Sequence, residues 1–212
     1  MKTQFRRKLF TIVVSFATLL TFGQENNKFY ASIEDYNNNK PIAGYDIESS
    51  ISGSENFKVK INGGEAEKMK VSKFPSDYFT YDGVLLRRFD GHSYYVLVNG
   101  SLCYYLMKNE ADVFKAKVQG EVRYIVNRVE NTDAQGNYIS KTPSDYYSEK
   151  LTGEISKLKE KILENYLTQY ALLDSYEKEK PKREAKDNVN GYHSKEVAHK
   201  VKFIKTINEK AK

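Results

Sequence analysis

Four asparagine–glycine or aspartate–glycine pairs constrain the fold of this chain more than any other feature: Asn62-Gly63, Asp82-Gly83, Asp90-Gly91 and Asn99-Gly100. Each is flanked by apolar, aromatic or β-branched residues, and such pairs tolerate the positive φ angles of a tight hairpin turn. Gln119-Gly120 is a weaker fifth candidate. Three of the pairs recur at intervals of eight to nine residues, the spacing of an antiparallel meander. The expectation is an α+β chain. Residues 24–143 read as an antiparallel β-meander of roughly eight to ten strands in a curved sheet or partly closed barrel, and residues 144–212 as two C-terminal helices packing on it in one globular domain.

Two-residue loops at Asp90-Gly91 and Asn99-Gly100 set a register. Leu86 then faces Tyr95, Tyr95 faces Tyr104, and Val84, Leu97 and Leu102 share the next row, which makes this apolar face the main core. The opposite face carries Leu85, Val96 and Cys103, then Arg87, Tyr94 and Tyr105, then Phe89, His92 and Met107. It is half apolar, so something is expected to cover its apolar end. Leu151, Ile155, Leu158, Ile162, Tyr166 and Tyr170 recur at steps of three and four, which predicts a covering helix over Tyr147 to Tyr176. Pro181 and the charged segment 177–187 read as a solvated connection. Ser194 is the expected cap of a second helix, with Val197, Val201 and Ile204 inward and Lys195, Lys200, Lys202 and Lys205 largely outward.

The first 23 residues give an address. Lys2, Arg6, Arg7 and Lys8 precede an apolar run from Leu9 to Thr21, and small residues at Thr21 and Gly23 place a cleavage site before Gln24. This is the layout of a secretory signal peptide, too short for a membrane-spanning helix. The expectation is an exported protein, periplasmic or secreted, with no stable membrane insertion. Four of the chain's 34 basic residues lie in the leader, leaving 30 against 28 acidic ones, which removes most of the support for nucleic-acid binding. Residues 144–212 hold 15 basic and 12 acidic side chains, so the last helix is the candidate for peripheral contact with anionic envelope polymers or lipid headgroups. Cys103 is the only cysteine, so no internal disulfide is possible. It reads as a small core residue.

The candidate binding residues are Arg87, Tyr94 and Tyr105 with His92 beside them. A guanidinium against two phenol rings can stack on a sugar ring or clamp a carboxylate or phosphate through its fork. The 17 tyrosines are consistent with a wet aromatic surface. His193 and His199 are six apart and diverge around a helix, unlike the four-residue spacing of a zinc-peptidase pair, so no metal site is expected and these residues read as solvated. Asp90-Gly91-His92-Ser93 holds triad residue types in a tight turn that cannot form the relay geometry. No catalytic set and no cofactor motif is present, and the reading is a non-enzymatic binding or interaction protein whose partner is an envelope protein or polymer. The alternatives are a closed-barrel carrier of a small apolar ligand and a hydrolase using dispersed carboxylates such as Asp77, Asp82 or Glu121.

The Thr21-Phe22-Gly23-Gln24 ending of the leader, and the string Lys178-Glu179-Lys180-Pro181-Lys182-Arg183 followed by Asn190-Gly191-Tyr192, resemble uncharacterised secreted proteins of Bacteroidota. The resemblance implies an envelope setting and carries no activity or functional residue with it. The chain end shows no glycine-rich β sorting domain of the kind those bacteria use, which favours periplasmic retention.

Overall fold

A computed structural model describes residues 27–118, 121–132, 138–140, 142–185 and 187–212. The leader and the Gln119-Gly120 pair lie outside them. At Asp82-Gly83 and Asp90-Gly91 the local turn chemistry acts as expected. Asp82 and Gly83 take φ of 48° and 71°, and Asp90 and Gly91 take 48° and 76°. These paired positive angles make the tight turns that join β5 (Tyr78–Tyr81), β6 (Val84–Phe89) and β7 (His92–Val98). Leu86 pairs with Tyr95 and Arg87 with Tyr94, as the two-residue loop demands.

These strands form the middle of a seven-stranded antiparallel sheet. Its order is β1 (Phe29–Tyr30), β5, β6, β7, β8 (Cys103–Met107), β13 (Asp145–Ser148) and β14 (Ser156–Lys157). The sheet ends on β1 and β14 and does not close, so the barrel expected as an alternative is not formed. A separate three-stranded sheet holds β2 (Tyr45–Ser50), β3 (Asn56–Ile61) and β4 (Ala66–Lys70). Two further ribbons pair β9 (Ala111–Val118) with β10 (Glu121–Arg128) and β11 (Glu130–Thr132) with β12 (Tyr138–Ser140). The helices are α1 (Ile33–Asn37), α2 (Glu160–Gln169), α3 (Leu173–Glu179) and α4 (Val189–Lys210). The architecture is α+β, with the strands divided among several sheets rather than one continuous meander.

The β7–β8 register differs from the expected one by two residues. Tyr95 pairs with Leu106, and Val98 pairs with Tyr104 after a bulge at Leu97. Asn99-Gly100 is therefore part of a longer loop, and Asn208 of α4 explains why. Its Oδ1 accepts from the Leu102 N–H at 2.7 Å and its Nδ2 donates to the Leu102 carbonyl at 2.9 Å, so a side chain replaces the strand partner. A two-residue slip preserves sidedness. Leu86, Tyr95, Leu97, Leu102 and Tyr104 all enter the main core as expected.

The helical region is also rearranged. Residues 147–159 are not helix: Asp145–Ser148 pairs with β8, and a turn at Gly153 leads into β14. Thr152-Gly153 is a poor helix interior, and the open edge of β8 offers the backbone a ladder instead. The apolar stripe continues only from Glu160, interrupted at Ala171, whose φ is 53°. The last helix starts earlier than expected because Asn188, not Ser194, is its cap, with Oδ1 accepting from the Gly191 N–H at 2.6 Å. Ser194 lies inside α4 and ties it to β10, its Oγ accepting from the Val126 N–H at 3.0 Å.

Both helical segments pack on the main core face, through Leu163, Leu167, Tyr176, Val197, Phe203 and Ile204. The opposite face is covered instead by Leu151 and Ile155 of the β13–β14 connection, with Ile33 and Tyr36 of α1 against them. Among the described residues no helix is long and apolar enough to cross a membrane.

Candidate functional site

The row expected to form a binding surface is assembled, but inside. Arg87, Tyr94 and Tyr105 are 6%, 5% and 0% exposed. With the two-residue slip, Tyr105 stands opposite Val96 rather than Tyr94. The Tyr94 ring meets Tyr105 edge-on at 6.4 Å and Tyr146 at 5.2 Å. Tyr105 shares a 2.7 Å hydroxyl contact with Ser148 Oγ. Burial pushes the Tyr94 phenol up to about 12 and raises Tyr105 as well. His92 departs from this cluster. Its side chain is 42% exposed and faces Glu55, whose other oxygen accepts from the Ser93 N–H at 3.0 Å.

A second constellation, which sequence reasoning missed, lies where β13 meets the helices. A cleft of about 320 Å³ is lined by Asp145, Glu160, Tyr176, Lys180, Glu196 and Lys200, over an apolar floor that includes Leu158, Leu163 and Pro181. Asp145 is its anchor. One carboxylate oxygen accepts from the buried Tyr104 hydroxyl and the other from Lys200 Nζ. Lys200 is therefore turned inward, where the helix pattern had placed it outward. Lys180 lies 3.6 Å from both Glu160 and Glu177. Glu196 is different: among the described residues no lysine or arginine stands within ion-pair reach of it. Its near neighbours are the neutral partners Tyr192, whose hydroxyl it meets, and His193, whose Nδ1 lies at 3.6 Å.

His193 and His199 are buried, 3% and 9% exposed, which corrects the expectation of solvated helix residues. His199 packs its ring 4.4 Å from Tyr176 and 4.9 Å from Phe203, with Nε2 3.0 Å from the Tyr176 carbonyl. Neither ring nitrogen of His193 has a hydrogen-bond partner. Burial lowers both imidazole pKa values below 6.5, so both rings are neutral at neutral pH. The unfolded chain then takes up protons first as pH falls. This contribution to stability is complete above the unfolded pKa of about 6.5 and is lost on acidification through that value toward the folded ones. The melting temperature should drop between pH 7.5 and 5.5, and His193→Leu should flatten the drop without lowering stability at pH 7.5. An unchanged slope in that variant would remove His193 as its source. Among the described residues no cluster of histidine, cysteine and carboxylate side chains is placed to hold a metal.

Of the carboxylates offered for hydrolysis, Asp77 and Asp82 do not converge. Asp77 and Asp82 stand at the two ends of β5, on the order of 17 Å apart along an extended strand. Asp77 is bound to Arg88 at 2.7 Å, and the side chain of Glu121 lies outside the description. Cys103 is fully buried, with Sγ donating to the Gly100 carbonyl at 3.4 Å. On α4, Lys195 pairs with Asp187 and Lys202 with Glu179. Glu196, His199 and Lys200 of α4 line the cleft, whereas Lys195 and Lys202 lie outside its lining. Comparison with protein families, curated proteins and solved structures finds no match to this chain.

Proposed function

We propose that this is an exported envelope protein, non-enzymatic, that binds a protein or polymer partner by admitting an amine-bearing group into the Asp145–Glu196 cleft. Export is supported by the leader. The observation that carries the binding reading is Glu196, a carboxylate one-third exposed that lines the cleft with no cation beside it. Asp145, Glu160 and Glu196 outnumber Lys180 and Lys200, and His199 is neutral at neutral pH, so the cleft holds one net negative charge. Both lysines are already engaged by carboxylates. An ammonium group on an apolar stem matches a negative rim over a floor of leucine and proline. The elements that carry the rim are helices and a paired strand, so the cleft is preformed rather than assembled on binding.

A lysine-bearing peptide and its Nε-acetylated counterpart, titrated calorimetrically into the protein, test this reading. Binding of the charged peptide is expected, with loss on acetylation and about a tenfold weakening in Glu196→Gln, the size of one charge-assisted hydrogen bond. Equal binding of the two peptides, or an unaffected Glu196→Gln variant, counts against it.

A further inference from the structure

No carboxylate among the described residues answers the charge of Arg87, which meets the Tyr105 hydroxyl and the Phe89 ring instead. Arg87 is more than nine-tenths buried. Its Nη1 is buried with no hydrogen-bond acceptor, and its guanidinium carbon sits 5.3 Å above the centroid of the Phe89 ring. The adjacent Arg88 shows the contrast. It reaches Asp77 through Nε at 2.8 Å, and its Nη1 donates to the Ser72 and Phe74 carbonyls at 3.1 Å each. Burying a cation without a counter-ion opposes folding unless the site earns its place in another state. Arg87 lines a cleft of about 320 Å³ at the β6–β7 hairpin, together with Ser72, Asp77, Arg88, Phe89, Asp90 and Gly91. No residue of this cleft belongs to the amine site.

We propose that Arg87 receives the carboxylate group of a ligand that enters this second cleft. Arg88 already neutralises Asp77, so the cleft presents the Arg87 charge against Asp90 alone. A planar monoanion supplies one counter-charge and acceptors matched to a guanidinium fork, whereas a doubly charged phosphate adds repulsion from Asp90. Phe89 and the Tyr78 and Tyr94 strand partners of Arg87 limit the freedom of the guanidinium, so little order is lost on binding.

The test titrates sodium acetate into the protein against sodium chloride at constant ionic strength, following melting temperature and binding heat. Saturable stabilisation by acetate is expected, with at least a tenfold loss of affinity in Arg87→Leu. In chloride that variant should melt no lower than the wild type, because an apolar side chain replaces an unpaired buried charge. Asp90→Asn, in the exposed turn, should tighten acetate about two- to threefold and reads the same site with the core untouched. No saturable acetate response in either the wild type or Asp90→Asn overturns the site, as does an Arg87→Leu variant that retains the response. Phosphate binding tighter than acetate overturns the monoanion assignment. A short peptide with a free C-terminal carboxylate, compared with its amide, then distinguishes a chain end from a free small acid: tighter binding than acetate marks the chain end, equal binding the small acid.

Discussion

Replacing Phe57 by alanine is expected to cost about 3–5 kcal/mol of stability, the range for emptying an aromatic core position. Phe57 is fully buried on β3 and is the ring through which the three-stranded sheet docks on the seven-stranded one. Its centroid lies 5.3 Å from Phe74, 5.5 Å from Phe79 and 5.7 Å from Tyr81, in tilted or edge-on geometry. Lys108 Nζ stands 5.0 Å above it, donating to the Ile51 carbonyl at 3.0 Å and the Ser54 carbonyl at 3.2 Å. Loss of the ring therefore removes packing from both sheets and loosens a buried ammonium, whose pKa is lowered by the same burial. The urea midpoint measures the effect. Phe114→Ala, at a residue 40% exposed, should change stability by no more than about 0.5 kcal/mol and serves as the control. A Phe57→Ala loss below about 1 kcal/mol would show that the small sheet is held by something other than this cluster.

Asp145→Ala should destabilise by about 2–4 kcal/mol, because one substitution strips partners from two groups. The Tyr104 hydroxyl belongs to a fully buried residue and loses its acceptor. Lys200, whose side chain is 22% exposed, loses its counter-charge. Tyr104→Phe should cost about 1–2 kcal/mol, since Asp145 keeps Lys200 and some water. The double variant should fall short of the sum by about 1 kcal/mol, because the two single changes delete one shared bond. Full additivity in that cycle would mean that Tyr104 and Asp145 do not interact. Since Asp145 also lines the cleft with Glu160 and Glu196, the cycle reports how rigidly that rim is held.

The legibility of this fold follows the range of the interactions that decide each part. The β6–β7 register was readable because Asp90 and Gly91 settle it between themselves through two positive φ angles. The β7–β8 register was not, since the group that satisfies Leu102 is Asn208, 106 residues away. The stripe from Leu151 to Tyr170 fits a helix by spacing, yet Tyr147 and Ser148 just before it pair with the edge of β8 and leave Leu151 and Ile155 in the connection to β14, a competition no local pattern displays. The row of Arg87, Tyr94 and Tyr105 was correctly placed on one face, but the residues that bury it come from α1 and from the β13–β14 connection. The Asp145 cleft left a faint trace in the spacing of His193 and His199, which sit on the helix that also carries Glu196 and Lys200. Lys200 and Asp145 are 55 positions apart and meet only when α4 lies across the strand.

By itself the sequence determined the hairpin turns at Asp82-Gly83 and Asp90-Gly91, the alternation that separates a core face from its opposite, and the apolar side of the last helix. Those properties depend on a few neighbouring residues and on the two-residue period of a strand. Only the tertiary structure decided that the sheet stays open, that Arg87 is enclosed without a counter-charge, and that Asp145, Lys200 and Glu196 share a cleft. Burial and pairing are properties of what packs on a residue, and here the packing partners come from distant segments whose arrival no local pattern encodes.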